Sequence, residues 1–484
     1  MFELKRRSRV PRLWSNDSGA SWQRVGRLVD VHNITQTLMV QLTGGVFLTG
    51  FALSLGAGPL TIGIIAALPL VMKVAQLALS WWIERAGHWR ASAIVGAVVG
   101  RGILIIVPVL ALVRDHGDVR IVLLVVVLMV SALGNGVFEL SFLTWMAELI
   151  PEPLRGVFWG KRGRNAGTLG IAASILASMF LDRGSSSTNE PNVRFAIIFG
   201  AGALIGCVGI VVLWLLPPPR RLTTRAEPVN VVSALTAPAR DTNFRVFLLF
   251  SALWSFAAGY MAPFYMVFML RDLGLSFLTV TILTAVTSAL MAATQTYWGW
   301  LGDHFGTKPV MRIGAYLIAL TPLVWLLAAP ERIWPVAIVQ VLSGIGWSAF
   351  HVSQSNLLLK LAPDTARPSY LGAFGAVSGI AEGLAPLLCG AALAVGQVGN
   401  TPSGTAFHAM MIVQFILFAV ATPIPQWIVE PRGTAVGHLI RVMGRYRAID
   451  ASPPAALLFE HGYTHLALIA DLIAREFPRD SEPT

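Results

Sequence analysis

The stretch GWLGDHFGTKP, Gly299–Pro309, has an earlier counterpart in SWWIERAGHWR, Ser80–Arg90. Glu84 in the first copy aligns with Asp303 in the second, 219 positions later, and each acid is followed three residues on by a glycine. A charged stretch that recurs in this way indicates that the chain contains two related halves.

A second pair of similar stretches supports the duplication. IPEPLRGVFWG, Ile150–Gly160, parallels APDTARPSYLG, Ala362–Gly372, and Arg155 matches Arg367 at an offset of 212. The two repeated stretches come in the same order in both halves, which chance explains poorly. A parallel repeat of this kind predicts an axis along the membrane normal and a cavity between the halves.

The composition indicates that lipid is part of the solvent of this chain. Hydrophobic residues make up 55% of the 484 residues and charged residues only 13%, against roughly 25% charged in soluble domains. Twelve apolar runs are each long enough to cross the bilayer as a helix. They lie at about residues 32–54, 60–83, 91–113, 121–147, 165–182, 194–216, 246–270, 278–300, 309–329, 334–358, 370–395 and 406–428. The predicted fold is an all-α membrane protein with twelve transmembrane helices in two six-helix halves.

Basic residues concentrate in alternate loops of this arrangement, including the repeated stretches and the segments before the first run and after the last. The positive-inside rule therefore places both termini in the cytoplasm. The net charge of +11 is explained by topology and by contact with anionic lipid, and it does not indicate nucleic acid. The predicted location is the bacterial inner membrane, crossed many times.

The same pattern divides the chain into five segments. They are a basic cytoplasmic N-terminal arm (1–31), an N-terminal six-helix bundle (32–216), a cytoplasmic central linker (217–245), a C-terminal six-helix bundle (246–428) and a cytoplasmic tail with short helices (429–484).

The stretch GWLGDHFGTK resembles the signature loop of the major facilitator superfamily, which joins the second and third helices of a half. The residues that fill the pattern are Gly299, Leu301, Asp303, Gly306 and Lys308. The first copy departs from it, with Ser80 for the glycine, Glu84 for the aspartate and Trp89 for a basic residue. The resemblance covers about residues 30–430 and implies a carrier that works by alternating access.

The repeated loops are the predicted gates. A carboxylate at a helix end can pair with nearby arginines and face the N-terminus of a neighbouring helix, so it can stabilise one conformation. Glycine lets the two helices meet closely. The predicted gating residues are Glu84, Arg85, Gly87, Arg90, Arg155, Gly299, Asp303, Gly306, Lys308 and Arg367. The alternative is a turn with ordinary basic anchoring.

Charged residues within the apolar runs require a partner or a function, because they are costly in lipid. Lys73, Arg101 and Glu139 are predicted at similar depth. Glu139 can pair with either cation and leave the other for an anionic substrate group, or it can exchange a proton. The structural alternative is a fixed ion pair between Arg101 and Glu139. Asn135, one helical turn before Glu139, favours a polar pocket.

Further candidates for substrate binding or coupling lie on other helices. Glu382, in a glycine-rich run, is predicted to act in coupling or gating, or else to be a neutral acid hydrogen-bonded within its bundle. The resemblance places the first and tenth helices at the cavity. The polar and aromatic residues predicted to line it are Gln36, Gln340, Trp347, His351 and Gln354. Of these, His351 can titrate near neutral pH.

Catalytic and cofactor chemistry are not indicated. The chain contains no phosphate-binding loop and no convincing set of metal ligands, so no cofactor, metal or enzymatic activity is predicted. The predicted function is secondary active transport of a small molecule, coupled to protons or another ion. The alternative is a non-transporting scaffold or assembly factor that binds another membrane protein. Two retained gating loops favour transport.

Overall fold

A computed structural model describes residues 18–69, 88–113, 117–149, 155–183, 191–218, 238–363, 366–398 and 403–430. The start of the N-terminal arm, most of the central linker and the tail predicted to form short helices lie outside these ranges. Within them the backbone is helical except for short connections and one isolated bridge between Ala329 and Arg332.

The described helices are numbered here in chain order. They are α1 (Ser18–Thr43), α2 (Gly45–Ser54), α3 (Pro59–Pro69), α4 (Trp89–Gly102), α5 (Ile106–Leu112), α6 (Gly117–Leu149), α7 (Arg155–Asp182), α8 (Pro191–Leu215), α9 (Thr242–Val267), α10 (Phe277–Phe305), α11 (Thr307–Trp325), α12 (Trp334–Leu361), α13 (Arg367–Val398) and α14 (Ser403–Ala421).

Ten segments of the described chain are long and apolar enough to cross a membrane. They overlap ten of the twelve predicted runs, which confirms an all-helical, multi-pass membrane protein. The second predicted run is described only through α3, and the ninth corresponds to the 19-residue α11. Large apolar side chains point outward along these helices, with Leu176 and Leu204 each 67% exposed. Such exposure is expected where lipid surrounds the helices.

The described residues form two compact units. The first comprises the described parts of Met1–Val286 together with Ala319–Gln340 and Leu361–Ile428. Its largest core includes the buried rings of Phe47 and Phe264. The second unit comprises Thr287–Ile318, Val341–Lys360 and the described residues from Val429. It has a separate core, whose buried members are Trp298, Leu301, Phe305, Val310 and Ala349.

Close helix crossings reveal the duplication in three dimensions. A Cβ built at Gly96 of α4 would lie 2.6 Å from the backbone nitrogen of Phe138 in α6. In the second unit, a Cβ at Gly314 of α11 would lie 2.8 Å from the backbone nitrogen of Phe350 in α12. Phe138 and Phe350 are 212 positions apart, the offset of the second sequence repeat. Equivalent pairs of helices therefore cross through glycine in both halves of the chain.

Candidate functional site

Several predicted site residues are not among those that the structure describes. Lys73, Glu84, Arg85 and Gly87 lie outside the described ranges, and only the backbone of Arg155 is described. The second copy of the gating loop is described throughout, so the geometry of the predicted gate rests on that copy.

The loop between α10 and α11 turns at the glycine of the repeated motif. Gly306 has a φ of +96°, a conformation that side chains other than glycine rarely adopt. The chain therefore ends α10 and starts α11 at Thr307 without an intervening linker. Asp303, the predicted latch, lies exposed at the end of α10, and no described residue forms an ion pair with it.

The carboxylate that faces the N-terminus of α11 belongs instead to Glu430. Its Oε1 accepts hydrogen bonds from the Thr307 backbone N–H at 2.9 Å and from the Thr307 hydroxyl at 2.5 Å, and its Oε2 accepts from the Lys308 N–H at 2.8 Å. Lys360 Nζ, at the end of α12, lies 3.0 Å from Oε1. The Glu430 side chain is 1% exposed, whereas that of Lys360 is 44% exposed. These four residues form what we call the Glu430 latch, together with Gly306.

The charge of Glu430 is matched to this site. Burial acts to raise the pKa of its carboxyl, but the hydrogen bonds from Thr307, Lys308 and Lys360 outweigh burial and lower the pKa below its usual value. A carboxylate at a helix N-terminus also interacts favourably with the helix dipole. The arrangement thus ties the residues after the last membrane helix to the start of α11 and the end of α12.

Sequence reasoning missed Glu430 as a gating residue. The one available signal was its position, since it is an acid directly after the last apolar run and is followed by Pro431 and Arg432. In the structure the carboxylate that faces this helix N-terminus comes from a distant part of the chain and not from the motif.

The other described gating candidates have mainly structural contacts. Arg90 Nη2 donates a hydrogen bond of 2.8 Å to the carbonyl oxygen of Trp214, joining the start of α4 to the end of α8. A Cβ at Gly299 would meet only the Val352 side chain, at 3.7 Å. Arg367 is half-buried at the start of α13.

Arg101 lies in the centre of the N-terminal helices and is fully buried, with 0% of its surface exposed. Its guanidinium carbon is 4.3 Å from the centre of the Phe138 ring, and its Nη1 is 3.1 Å from where a Cβ would stand on Gly209. No described residue accepts a hydrogen bond from its Nε, Nη1 or Nη2. Helices α4, α6 and α8 thus enclose a cation, and α1 completes the site with His32.

His32 is 1% exposed and its Nδ1 is 3.3 Å from the carbonyl oxygen of Gly209. Its ring lies 5.5 Å from that of Phe138 and 5.0 Å from that of Phe142. Sequence reasoning did not connect His32 with Arg101. The four residues Arg101, His32, Phe138 and Gly209 are called the Arg101 pocket below.

The structure does not bring Arg101 and Glu139 together. Glu139 is exposed on α6 while Arg101 is fully buried, and the ion pair considered between them is not formed. The reason is helical geometry, because the position that faces Arg101 is taken by Phe138, and the next residue is rotated about 100° around the helix. Asn135, one turn earlier, is half-buried and donates from Nδ2 to the Ser131 carbonyl oxygen at 3.0 Å.

The residues on α12 and α13 that were predicted to bind substrate or to act in coupling differ in their exposure. Gln340 is buried, Trp347 and Gln354 are half-buried, and His351 is exposed. The rings of Trp347 and His351 stack with their centres 5.0 Å apart. His351 is 212 positions after Glu139, so the two exposed ionisable residues occupy equivalent positions of the repeat.

Glu382 is half-buried, and its carbonyl oxygen lies 2.6 Å from where a Cβ would stand on Gly259 of α9.

Two pairs of helices from different halves of the chain meet within the first unit, and the first pair is α3 and α13. A Cβ at Gly63 of α3 would lie 2.5 Å from the carbonyl oxygen of Pro386 in α13. The same helices meet again where a Cβ at Gly390 would lie 2.7 Å from the carbonyl oxygen of Pro59. Backbone-to-backbone approach of this kind requires glycine.

The second pair of helices in contact across the halves is α7 and α10. The hydroxyls of Ser178 and Thr281 are 2.6 Å apart. The carboxylate of Asp182 accepts hydrogen bonds from the backbone N–H groups of Phe277, at 3.1 Å, and Leu278, at 2.8 Å. The acid therefore caps the N-terminus of α10 across the two halves.

Comparison with known proteins agrees with this architecture. Residues 248–458 match the family model of the Major Facilitator Superfamily, and the fold matches solved transporters over most of the chain. The chain is therefore similar to the major facilitator superfamily in the sequence of its second half and in its fold.

Three solved superfamily structures show the extent of the likeness. The nucleoside transporter NupG matches with a TM-score of 0.63 and 13% identity over 83% of this chain and 99% of its own. The xylose transporter XylE from E. coli matches with a TM-score of 0.59 and 15% identity over 87% and 99%. A bacterial homologue of the human lysosomal transporter Spinster matches with a TM-score of 0.61 and 14% identity over 84% and 96%. At these identities the likeness is one of fold.

A curated relative adds a transport activity in another organism. The rubrofusarin-specific efflux pump of Gibberella zeae is 30% identical to the chain over 140 residues. The match covers 28% of this chain and 25% of the pump, so the chain spans about a quarter of the length of the curated relative it matches.

Proposed function

We propose that this protein is a member of the major facilitator superfamily and a secondary active transporter that moves a small molecule across the bacterial inner membrane by alternating access. In this proposal twelve helices cross the membrane, as bundles 32–216 and 246–428 joined by the linker 217–245. The arm 1–31 and the tail 429–484 are cytoplasmic. The ten described spans match ten of these twelve helices, and α3 and α11 lie within the second and ninth predicted runs.

The observation that carries the proposal is the pair of contacts between the halves within the first unit. The α3–α13 contact joins the second helix of the first half to the fifth helix of the second half. The α7–α10 contact joins the fifth helix of the first half to the second helix of the second half. The two contacts are thus related by the repeat. Under the predicted topology both lie at the outer ends of their helices, so together they form an external gate.

The chemistry of this proposed gate suits repeated opening. It consists of glycine contacts at Gly63 and Gly390, of a hydrogen bond between the Ser178 and Thr281 hydroxyls, and of hydrogen bonds that the Asp182 carboxylate accepts. Hydrogen bonds of this kind contribute about 0.5–1.5 kcal/mol each when water is the alternative partner. A gate built from them stays closed at rest and can separate when a substrate stabilises the open form.

Proton coupling is proposed through exposed ionisable residues on membrane helices. An ionised carboxylate facing lipid is strongly disfavoured, so an exposed Glu139 requires water or a polar partner beside it. We assign Glu139 and His351 as proton-exchanging groups on their respective helices, with Glu382 as a further coupling residue. The polar residues Gln36, Gln340 and Gln354 and the ring of Trp347 are proposed as substrate contacts.

Flux in reconstituted liposomes tests this proposal. Wild-type protein, Glu139→Gln and Asp303→Asn would be screened against a metabolite and drug library, with and without an imposed pH gradient. Gradient-driven flux that is lost in Glu139→Gln and retained in Asp303→Asn supports proton-coupled transport. Absence of flux for every compound, together with stable co-purification of another membrane protein, would overturn it in favour of the scaffold alternative.

A further inference from the structure

The Arg101 pocket contains a buried cation for which no described residue supplies a counter-ion. The acids with described side chains on the helices packed against it are Asp30 on α1 and Asp118 and Glu139 on α6, and none of them forms an ion pair with Arg101. His32, which also lies against Gly209, would add to the positive charge when protonated. Phe138 covers one side of the guanidinium and Gly209 lies against it. A ring face attracts a cation but accepts none of its five N–H groups in the plane.

Two unsatisfied acceptors lie on the neighbouring helices. Oε1 of Gln36, one turn after His32 on α1, and Oδ1 of Asn135, one turn before Phe138 on α6, are buried and accept no hydrogen bond from any described residue. Asn135 is adjacent to the backbone of α4, since a Cβ at Gly100 would lie 3.0 Å from its Cγ. The helices that surround Arg101 therefore carry donors without acceptors, on Arg101, and acceptors without donors, on Gln36 and Asn135.

This combination points to a ligand and not to a packing role. Buried polar groups in folded proteins are nearly always hydrogen-bonded, and a buried charge needs a partner as well as hydrogen bonds. Bound water satisfies hydrogen bonds but leaves the charge uncompensated. An oxyanion satisfies both requirements, because a planar guanidinium binds carboxylate or phosphate oxygens through two parallel hydrogen bonds.

We infer that Arg101 binds an anionic oxygen group of the transported molecule, a carboxylate or a phosphate, and that Gln36 and Asn135 accept hydrogen bonds from donors beside that group. The inference rests on the proposed transport function and narrows it to anionic substrates. Arg101 has no equivalent in the second half, because it lies five residues after Gly96 and the residue five after the equivalent Gly314 is Ala319. The substrate group therefore binds to the N-terminal half of the chain.

Thermal unfolding of the purified protein in detergent tests the site. The probes are sodium acetate and sodium phosphate, titrated at constant ionic strength against sodium chloride. We expect a saturable rise in Tm of about 2 °C or more for one probe with the wild type and no saturable rise with Arg101→Gln. Arg312→Gln is the matched control, since Arg312 also lies over an aromatic ring, that of Tyr316. It should respond like the wild type. An equal, unsaturated rise in all three proteins would overturn the inference, because it reflects general salting-out.

A second variant separates binding from structure. Arg101→Met keeps the length of the side chain and removes the charge, and replacing a buried charge by an apolar group often stabilises a protein. We expect Arg101→Met to unfold at the same or a higher Tm than the wild type without added anion, and to lose the anion response. A lower Tm together with a retained response would show that Arg101 is a packing residue.

The source of the anion and the transport function are then tested separately. Adding phosphatidylglycerol to delipidated protein should leave the saturable response to acetate or phosphate intact. If the lipid abolishes it, the pocket binds a headgroup and the substrate assignment is wrong.

In liposomes, Arg101→Met should lose flux of anionic compounds. Flux confined to uncharged compounds and unchanged in Arg101→Met would reject the anionic substrate while leaving transport itself established.

Discussion

The carboxylate of Glu430 caps the helix that begins at Thr307, with its Oε1 2.9 Å from the Thr307 backbone nitrogen. The cap works because Gly306, at a φ of +96°, turns the chain sharply enough to present the first N–H groups of α11 to the acid. Lys360 closes the same latch from the end of α12. The repeated motif thus provides the turn and the donors, and the end of the last membrane helix provides the charge.

Removing this acid should destabilise the second unit. In Glu430→Ala the Thr307 and Lys308 N–H groups lose their acceptor, and loss of a helix cap costs about 0.5–2 kcal/mol. We expect a lower Tm in detergent. Glu331→Ala is the control, because Glu331 is an exposed acid in the connection before α12. Equal Tm values for the two variants would show that the latch contributes nothing to stability.

The latch also predicts a pH dependence. The pKa of Glu430 is lowered in the folded protein from its usual value of 4.5, so its contribution to stability is fully present above about pH 4.5. The contribution is lost as the pH falls through the lowered pKa, because protonation removes the charge that the N–H groups and Lys360 stabilise. The Tm difference between the wild type and Glu430→Gln should therefore shrink on acidification below pH 4.5. A difference that stays constant down to pH 3 would contradict the assignment.

The two motif glycines should respond differently to substitution. Gly306→Ala places a Cβ at a positive φ, which costs about 1–2 kcal/mol. Gly299→Ala meets only an ordinary contact with Val352, at 3.7 Å, and gains about 0.5–1 kcal/mol of helix preference. We expect Gly306→Ala to lower the Tm and Gly299→Ala to leave it unchanged or raise it. The reverse order would show that the turn is not needed.

The features predicted correctly from sequence are those that depend on composition and periodicity. Apolar runs predicted the helices because lipid makes a continuous apolar surface compulsory. The two repeats indicated related halves, and the structure has equivalent crossings at Gly96 and Gly314. The motif also placed a glycine where the structure has a positive φ, at Gly306. Each of these signals is local in sequence or repeats at a fixed offset.

The features that sequence did not predict depend on tertiary contacts. Glu430 lies 123 positions after Thr307, and nothing in either segment specifies the other as its partner. Arg101 and Glu139 have opposite charges at a plausible depth, yet the rotation of α6 places Phe138 in contact with the cation. Charge alone cannot predict such pairs, because the angular position of each helix is set by its packing.

The external gate predicts that α3 tolerates no side chain at its contact with α13. In Gly63→Ala the new Cβ would lie 2.5 Å from the Pro386 carbonyl oxygen, and such overpacking costs about 1–3 kcal/mol. The closed gate should lose population by roughly tenfold, and the rate of transport in liposomes should fall. Gly375→Ala, where no heavy atom lies within 4 Å of the new Cβ, should transport like the wild type. Equal rates would indicate that the contact is not part of the cycle.

The central claim, alternating access through this gate, is tested most directly by locking it. Ser178→Cys and Thr281→Cys, whose native hydroxyls are 2.6 Å apart, would be combined in a background with Cys207→Ala and Cys389→Ala. Flux in liposomes would then be measured after oxidation and again after reduction, with each single cysteine as control. We predict that the disulfide forms on oxidation and abolishes flux, and that flux returns when the disulfide is reduced. Undiminished flux with the disulfide intact would contradict alternating access at this gate.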